Sequence, residues 1–280
     1  MKISIAVPSY NYAPYLSACL ESIRMQDFND YEVLIAEGGS GDGSLEIIER
    51  FCSLDSRFRL VSTEDQGQAD AIVKAFGYAD GDLFCFLNSD DCFICNDALS
   101  SVVAAFKKYP ETSIVSFSGY YIDYKGNYIR PVKLRYHPKD SIEQMKYRTA
   151  VLQPATFWRR EVYEAIPIMT DSHYIFDALF FYQVYREKFS WLELPKPVAG
   201  HRLHGDNKSL EVRCERIREI SKFEGVKFGE WGFRSVYIYM ISFIVMIFDK
   251  IPFAGKYLNL FVYVIVNSIS FLSFYRIPGI

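Results

Sequence analysis

The chain has 280 residues, of which 50% are hydrophobic, 17% aromatic and 23% charged, with a formal net charge of −3. That is too apolar for a disordered chain, and long enough for one large α/β domain or a domain with an appendage. Residues 200–280 carry 11 basic and 7 acidic residues, against 20 and 27 in the remainder. An acidic front excludes nucleic-acid binding through bulk charge, whereas a basic, apolar tail suits an anionic membrane surface.

Ile3 to Val7 is a β-branched run stopped by Pro8, and Tyr15 to Met25 places Leu16, Cys19, Leu20 and Ile23 at helical spacing. A strand follows over Tyr31 to Ala36, then a glycine cluster from Gly38 to Gly43 and a helix from Ser44 to Phe51. Phe58 to Ser62, Gln68 to Ala79 and Leu83 to Leu87 repeat the strand, helix, strand order. This alternation predicts βαβ units and a Rossmann-like, mostly parallel sheet flanked by helices, with ligands at the carboxyl ends of the strands. Asp97 to Tyr109 reads as a further helix. Ser113 to Lys133 reads as strand, with a hairpin turn at Lys125-Gly126-Asn127. Residues 140–210 read as helices mixed with Pro-marked loops, and Arg213 to Lys227 as a charged helix.

Two later runs lack charge: Ser235 to Phe248, of 14 residues, and Tyr257 to Tyr275, of 19. About 20 apolar residues span a bilayer. The tail is therefore expected to associate with a membrane, as an embedded pair or as helices lying in the interface. A dimer core, making the chain a homo-oligomer, is the other use of such faces. Cys19, Cys52, Cys85, Cys92, Cys95 and Cys214 are dispersed, and Met1-Lys2 leads directly into a strand pattern. Reduced cytosolic thiols are expected, and Cys92-x-x-Cys95, without a second pair, reads as packing.

The polar residues that stand out all lie at strand ends. The apolar strand Leu83 to Leu87 stops at Asn88-Ser89-Asp90-Asp91. Adjacent acids there serve either as a turn or helix cap, or as a site for a hard cation such as Mg²⁺ or Mn²⁺ that carries a diphosphate. The ends of the first two strands, Val7-Pro8-Ser9-Tyr10-Asn11 and Glu37-Gly38-Gly39-Ser40-Gly41-Asp42-Gly43, favour the second use. They add an aromatic ring, an amide, an acid and flexible backbone to the same edge. No G-x-G-x-x-G follows the first strand, which argues against a dehydrogenase, and the P-loop pattern is absent.

The order and spacing of these three segments resemble the signature of glycosyltransferase family 2, strongly over residues 1–110 and more loosely over 150–210. The resemblance implies a GT-A fold and an inverting enzyme. A donor-binding half would span 1–112, an acceptor-binding half of the same domain 113–210, and the membrane-associating tail 211–280. It implies that Pro8, Tyr10 and Asn11 line the nucleotide site, and that Glu37, where the family usually has Asp, binds the base, most often uracil. Asp65 and Lys74 would help hold base and phosphate. Asn88 belongs to the same metal and donor motif. Asp90 would approach the ribose or sugar, and Asp91 would ligate the metal. Arg202 and His204, in His201-Arg202-Leu203-His204-Gly205, resemble an Arg-x-His element that stabilises the leaving diphosphate or completes the metal shell. Inversion also needs a carboxylate to accept the acceptor's proton. Asp177, in an apolar helical run, is the candidate, with Asp171 as fallback. Gln153 to Trp158 reads as acceptor-side wall, with Phe157 or Trp158 either stacking on a sugar or packing in the core.

The expectation is thus a metal-dependent transfer from a nucleoside-diphosphate sugar, UDP-linked, to a saccharide or polyprenyl-linked saccharide at the cytoplasmic membrane face. Two alternatives stand beside it. A nucleotidyltransferase would need a basic, Gly-rich loop after the first strand, which Pro8 to Asn11 does not supply. A non-catalytic nucleotide-binding membrane scaffold would keep the fold without turnover.

Overall fold

The computed structural model describes residues 1–132, 151–204 and 219. The chain divides into two compact units, Met1–Asn207 and Lys208–Ile280. The two uncharged runs of the tail lie outside the described residues. So does the expected helix from Arg213 to Lys227, save Glu219. Among the described residues no helix is long and apolar enough to cross a membrane.

The first half of the first unit alternates as its periodicity dictates. Strands β1 (Ile3–Ser9), β2 (Tyr31–Glu37), β3 (Phe58–Ser62) and β4 (Leu83–Phe86) pair in parallel in the order β3-β2-β1-β4. Helices α1 (Ala13–Arg24), α2 (Ser44–Leu54) and α3 (Gln68–Phe76) connect them. Pro14 pre-sets the first turn of α1, where a missing N–H costs nothing, and Leu16, Cys19, Leu20 and Ile23 form its buried stripe. β1 and β2 are buried along their whole length, as a central parallel strand requires.

The second half is assembled differently. Short β5 (Cys92–Phe93) and helix α4 (Ala98–Lys108) precede the hairpin β6 (Ile114–Ile122) and β7 (Tyr128–Pro131). The hairpin turns at Gly126, with φ 91°, and Asp123 Oδ1 accepts the N–H groups of Lys125 and Asn127. A 3-10 turn (Gln153–Ala155), β8 (Thr156–Arg159), α5 (Arg160–Ala165), α6 (Phe176–Arg186) and β9 (Trp191–Arg202) follow. The sheet order is β3-β2-β1-β4-β8-β6-β9-β5, with β7 on β6. β8 runs antiparallel to both β4 and β6, β5 antiparallel to β9, and β9 parallel to β6. The sheet is therefore mixed rather than mostly parallel. Parallel pairing joins β1 to β4, as expected, and β6 to β9; the other pairs are antiparallel.

Two elements overturn the expectation of helices and loops over 140–210. β8 and β9 are strands, and β9 accommodates Pro195 and Pro197 by slipping register against β6. Phe117 faces Leu194 but Ser118 faces Pro197, and Ser118 Oγ donates to the Pro195 carbonyl at 2.6 Å. An irregularity is where a strand tolerates proline. Phe157 and Trp158 are fully buried, with Trp158 among Phe86, Phe180 and Phe181, so both are core residues and neither stacks on a sugar.

Candidate active site

The turn after β4 is held from three sides. Ser89 Oγ donates to the Pro8 carbonyl at 2.5 Å, and Asp91 N–H closes the turn onto the Asn88 carbonyl at 2.9 Å. Asn88 Oδ1 accepts from Gln68 Nε2 at 2.7 Å. Its Nδ2 lies 3.4 Å from Gln153 Oε1 and 3.5 Å from Asp91 Oδ2. Gln153 in turn donates to the Phe86 carbonyl at 2.6 Å. Asn88 is thus the hinge of an amide chain that orients the acids.

Those acids are met by the end of β9, which the sheet brings alongside β5. His204 Nε2 is 3.0 Å from Asp90 Oδ2, and His201 Nδ1 is 3.1 Å from Asp91 Oδ1. Arg202 N–H donates to Asp91 Oδ1 at 2.9 Å. The two acids differ in access. Asp91 is fully buried, whereas Asp90 retains 8% exposure. Burial and the neighbouring Asp91 push Asp90 up to about 6. Burial works against a charge on His201, but Asp91, then Asp90 and Asp177, outweigh it and raise His201 to about 9. The charge of Asp177, in the first turn of α6, thus reaches the cluster. The ring of Tyr15 lies 4.5 Å from that of His204 and fixes it from the other side.

Arg202 was expected to face a diphosphate. Instead it is 3% exposed, and its guanidinium donates to the carbonyls of Asp90 at 2.7 Å, Asp123 at 3.1 Å and Tyr124 at 3.2 Å. It fastens the β6–β7 turn to the acidic turn. His201, which sequence reasoning passed over, is the more open cation, with 28% of its side chain exposed. Alternation along a strand puts neighbours 201 and 202 on opposite faces, but that signal is usable only once β9 is recognised.

The remaining expected residues form a second group. Tyr10 is exposed, and Asn11, with φ 55°, donates its N–H to Ser40 Oγ and accepts Gly41 N–H on Oδ1. Pro8 pairs with Ala36 inside the sheet. Glu37 is 2% exposed, and both its oxygens accept backbone N–H groups, those of Gly39 and Ser40, at 2.8 Å. Its carboxylate shapes the glycine turn. Lys74 Nζ donates to the Glu64 carbonyl at 2.7 Å and lies 3.0 Å from Asp70, so it closes the β3–α3 loop. Burial raises the Cys92 and Cys95 thiols to about 11, Asp97 adding to the effect at Cys95, which suits packing rather than metal or redox use.

A divalent cation can be tested against this donor set. Carboxylate oxygen suits Mg²⁺ or Mn²⁺, whereas imidazole nitrogen suits a transition ion better than Mg²⁺, so the mixed pair favours Mn²⁺. The 3.0 Å between Asp90 Oδ2 and His204 Nε2 serves a hydrogen bond. It also equals the edge of an octahedron with bonds of about 2.1 Å. Among the described residues no group of three or more His, Cys, Asp or Glu side chains gathers to hold an ion. Asp90 and His204 therefore fit a cation whose shell is completed by water and substrate phosphate, the usual way Mg²⁺ is held.

The glycosyl transferase family 2 model matches residues 4–167. The chain belongs to that family. A PGL/p-HBAD biosynthesis glycosyltransferase of Mycobacterium bovis is 29% identical over 164 residues, which cover 58% of this chain and 61% of that relative. The putative glycosyltransferase EpsH of Bacillus subtilis is 36% identical over 89 residues, 32% of this chain and 26% of its own. The chain thus matches about three fifths or less of these relatives. Among solved structures, residues 1–349 of S. aureus TarS with UDP-GlcNAc align at TM-score 0.59 and 19% identity, over 89% of this chain and 73% of that one. The mannosyltransferase PcManGT of Pyrobaculum calidifontis, with GDP-Man and Mn²⁺, aligns at 0.57 and 17%, over 98% and 81%. The fold is that of the GT-A glycosyltransferases.

Proposed function

We propose that the chain transfers a sugar, with inversion, from a UDP-linked donor to a saccharide or polyprenyl-linked saccharide in cell-surface polysaccharide synthesis. The observation that carries this is the pairing of Asp90 with His204 at the end of β4, beside the fully buried Asp91. Asp90 and His204 are assigned the Mg²⁺ or Mn²⁺ ion. Asp91 is reassigned from ligand to support, because Arg202 N–H and His201 occupy it. When bound, the cation offsets charge on the departing diphosphate. Asp177, whose charge reaches the same cluster, accepts the acceptor hydroxyl's proton as the hydroxyl attacks the anomeric carbon. Arg202 holds the acidic turn in place, and His201 neutralises Asp91.

Turnover of a panel of nucleotide sugars with Mn²⁺, alongside thermal shift, tests this. A bound donor raises the melting temperature by mass action. Transfer from a UDP-sugar that chelator abolishes is the expected result. Nucleotide binding without turnover would support the scaffold alternative. Membrane association at the cytoplasmic face is proposed from the uncharged runs of the tail. Release of the full chain from membranes by carbonate would count against embedding.

A further inference from the structure

The β6–β7 hairpin extends the acidic cluster into a row of side chains that runs out to solvent. Tyr121 pairs with Arg130 of β7 on one side and with His201 of β9 on the other, so the three residues share one face of the sheet. The Arg130 guanidinium carbon lies 4.3 Å from the centre of the Tyr121 ring, and that ring meets the His201 ring edge-on at 5.7 Å. The inner end of the row is the candidate active site: His201 Nδ1 is 3.1 Å from Asp91 Oδ1, and the charge of Asp177 acts on the same imidazole. The outer end is Arg130, which is exposed. Arg202, the next residue of β9, turns to the other face, where its guanidinium lies 5.4 Å from the Tyr15 ring.

Arg130 differs from the arginines that build the fold. Arg159 donates to the carbonyls of Pro110 and Thr112, and Arg160 to those of Ala79 and Gly81. Arg57 donates to the Asp55 carboxylate. Among the described residues no acceptor takes an N–H of the Arg130 side chain, and no carboxylate pairs with it. Its flat face is spent on the Tyr121 ring, and stacking of that kind leaves the N–H fork available in its own plane. A fork so held matches the paired oxygens of a carboxylate or a phosphate. The hairpin is also fixed relative to the acidic turn, because Arg202 donates to the Asp123 and Tyr124 carbonyls.

We propose that Arg130, oriented by Tyr121, is a specificity residue that binds an anionic group of the acceptor, a phosphate or a carboxylate. The inference rests on the glycosyl-transfer reading above. Neighbouring strands lie about 4.8 Å apart, so Arg130 and His201, with β6 between them, are separated by roughly 10 Å. The anion is therefore a group other than the attacking hydroxyl, carried on the acceptor at that remove from its reacting end. The donor's diphosphate is not the occupant, since the pair assigned to its cation, Asp90 and His204, lies at the inner end of the row.

Calorimetric titration of the full chain, saturated with UDP and Mn²⁺ so that the donor site is filled, tests this with glucose, glucuronic acid and α-glucosyl phosphate as probes. At least one of the anions should bind about tenfold or more tightly than glucose. An advantage for glucosyl phosphate marks a phosphate such as a polyprenyl-linked acceptor carries; one for glucuronic acid marks an acidic saccharide. Arg130→Gln should bring the favoured anion down to the affinity of glucose, with UDP affinity and melting temperature unchanged. Arg130→Lys, which keeps the charge without the fork, should retain only part of the advantage. Lys125→Gln, which removes an exposed charge from the turn of the same hairpin, should leave it intact. Neither anion favoured over glucose, an advantage that survives Arg130→Gln, or one lost equally in Lys125→Gln overturns the inference. A chain that binds UDP but neither anion refutes the acceptor assignment alone. A chain that binds no UDP overturns the donor reading on which that assignment rests.

Discussion

Acids at the ends of β2 and β4, the two strands that flank β1, are used in opposite ways. In the glycine loop after β2, Glu37 accepts the N–H groups of Gly39 and Ser40. Asp42 accepts those of Ala13 and Ser44, at the starts of α1 and α2. Backbone amides cannot leave, so these carboxylates are spent on shape. After β4 the partners of Asp90 and Asp91 include histidine side chains, which can give up a proton or turn toward a ligand. Residue type does not distinguish the two regions. The kind of donor facing each oxygen does.

Breaking the second region should cost the most. Asp90→Asn is expected to lower turnover by about 10²–10³-fold with the fold retained, as checked by initial rates and a melting curve. Chelation of the divalent ion should do the same to the wild type and little more to the variant. His204→Ala follows, with a loss of about 10–100-fold in activity or metal affinity, measured by Mn²⁺ titration of the rate. Glu37→Gln sharpens the contrast. It should cost about 1–3 kcal/mol in denaturant unfolding, since an amide NH₂ then faces a buried N–H.

The smallest effect is electrostatic. His201 is raised from its ordinary 6.5 to about 9, so its contribution to stability is complete below 6.5 and is lost as pH climbs through about 9. The melting temperature of chelated protein should fall over that interval, and less steeply in His201→Gln. An equal fall in both would separate His201 from Asp91.

The donor half was legible because its order is local. Each strand of β1 to β4 is followed by its helix or turn within a few residues, and Leu16, Cys19, Leu20 and Ile23 announce the buried face of α1 before any tertiary contact is known. β9 was not legible. Its prolines read as loop, and its strand state comes from pairing with β6, some 77 residues distant in the pair Phe117 and Leu194. With β9 missed, His201 and Arg202 could not be assigned to opposite faces. The hydrogen-bond partners of Glu37 and Asp91 were not legible for a related reason: composition shows an acid, but not which amides will claim it. Trp158 went the other way, since burial alone settles it as core.

The proline-bearing slip in β9 has a consequence for the chemistry. Phe117 faces Leu194 and Gly119 faces Ala199, so two steps along β6 are matched by five along β9. Three extra residues at about 3.3 Å each hold the later part of β9 back by roughly 10 Å relative to a regular ladder. That offset sets the phase in which the strand's last residues arrive, placing His201 beside Tyr121 and Arg202 beside Ile122, within reach of the acidic turn. The segment from Pro195 to Val198 works as a length standard. Shortening it by one residue would leave the sheet paired but swap which of two adjacent cationic side chains meets the acids.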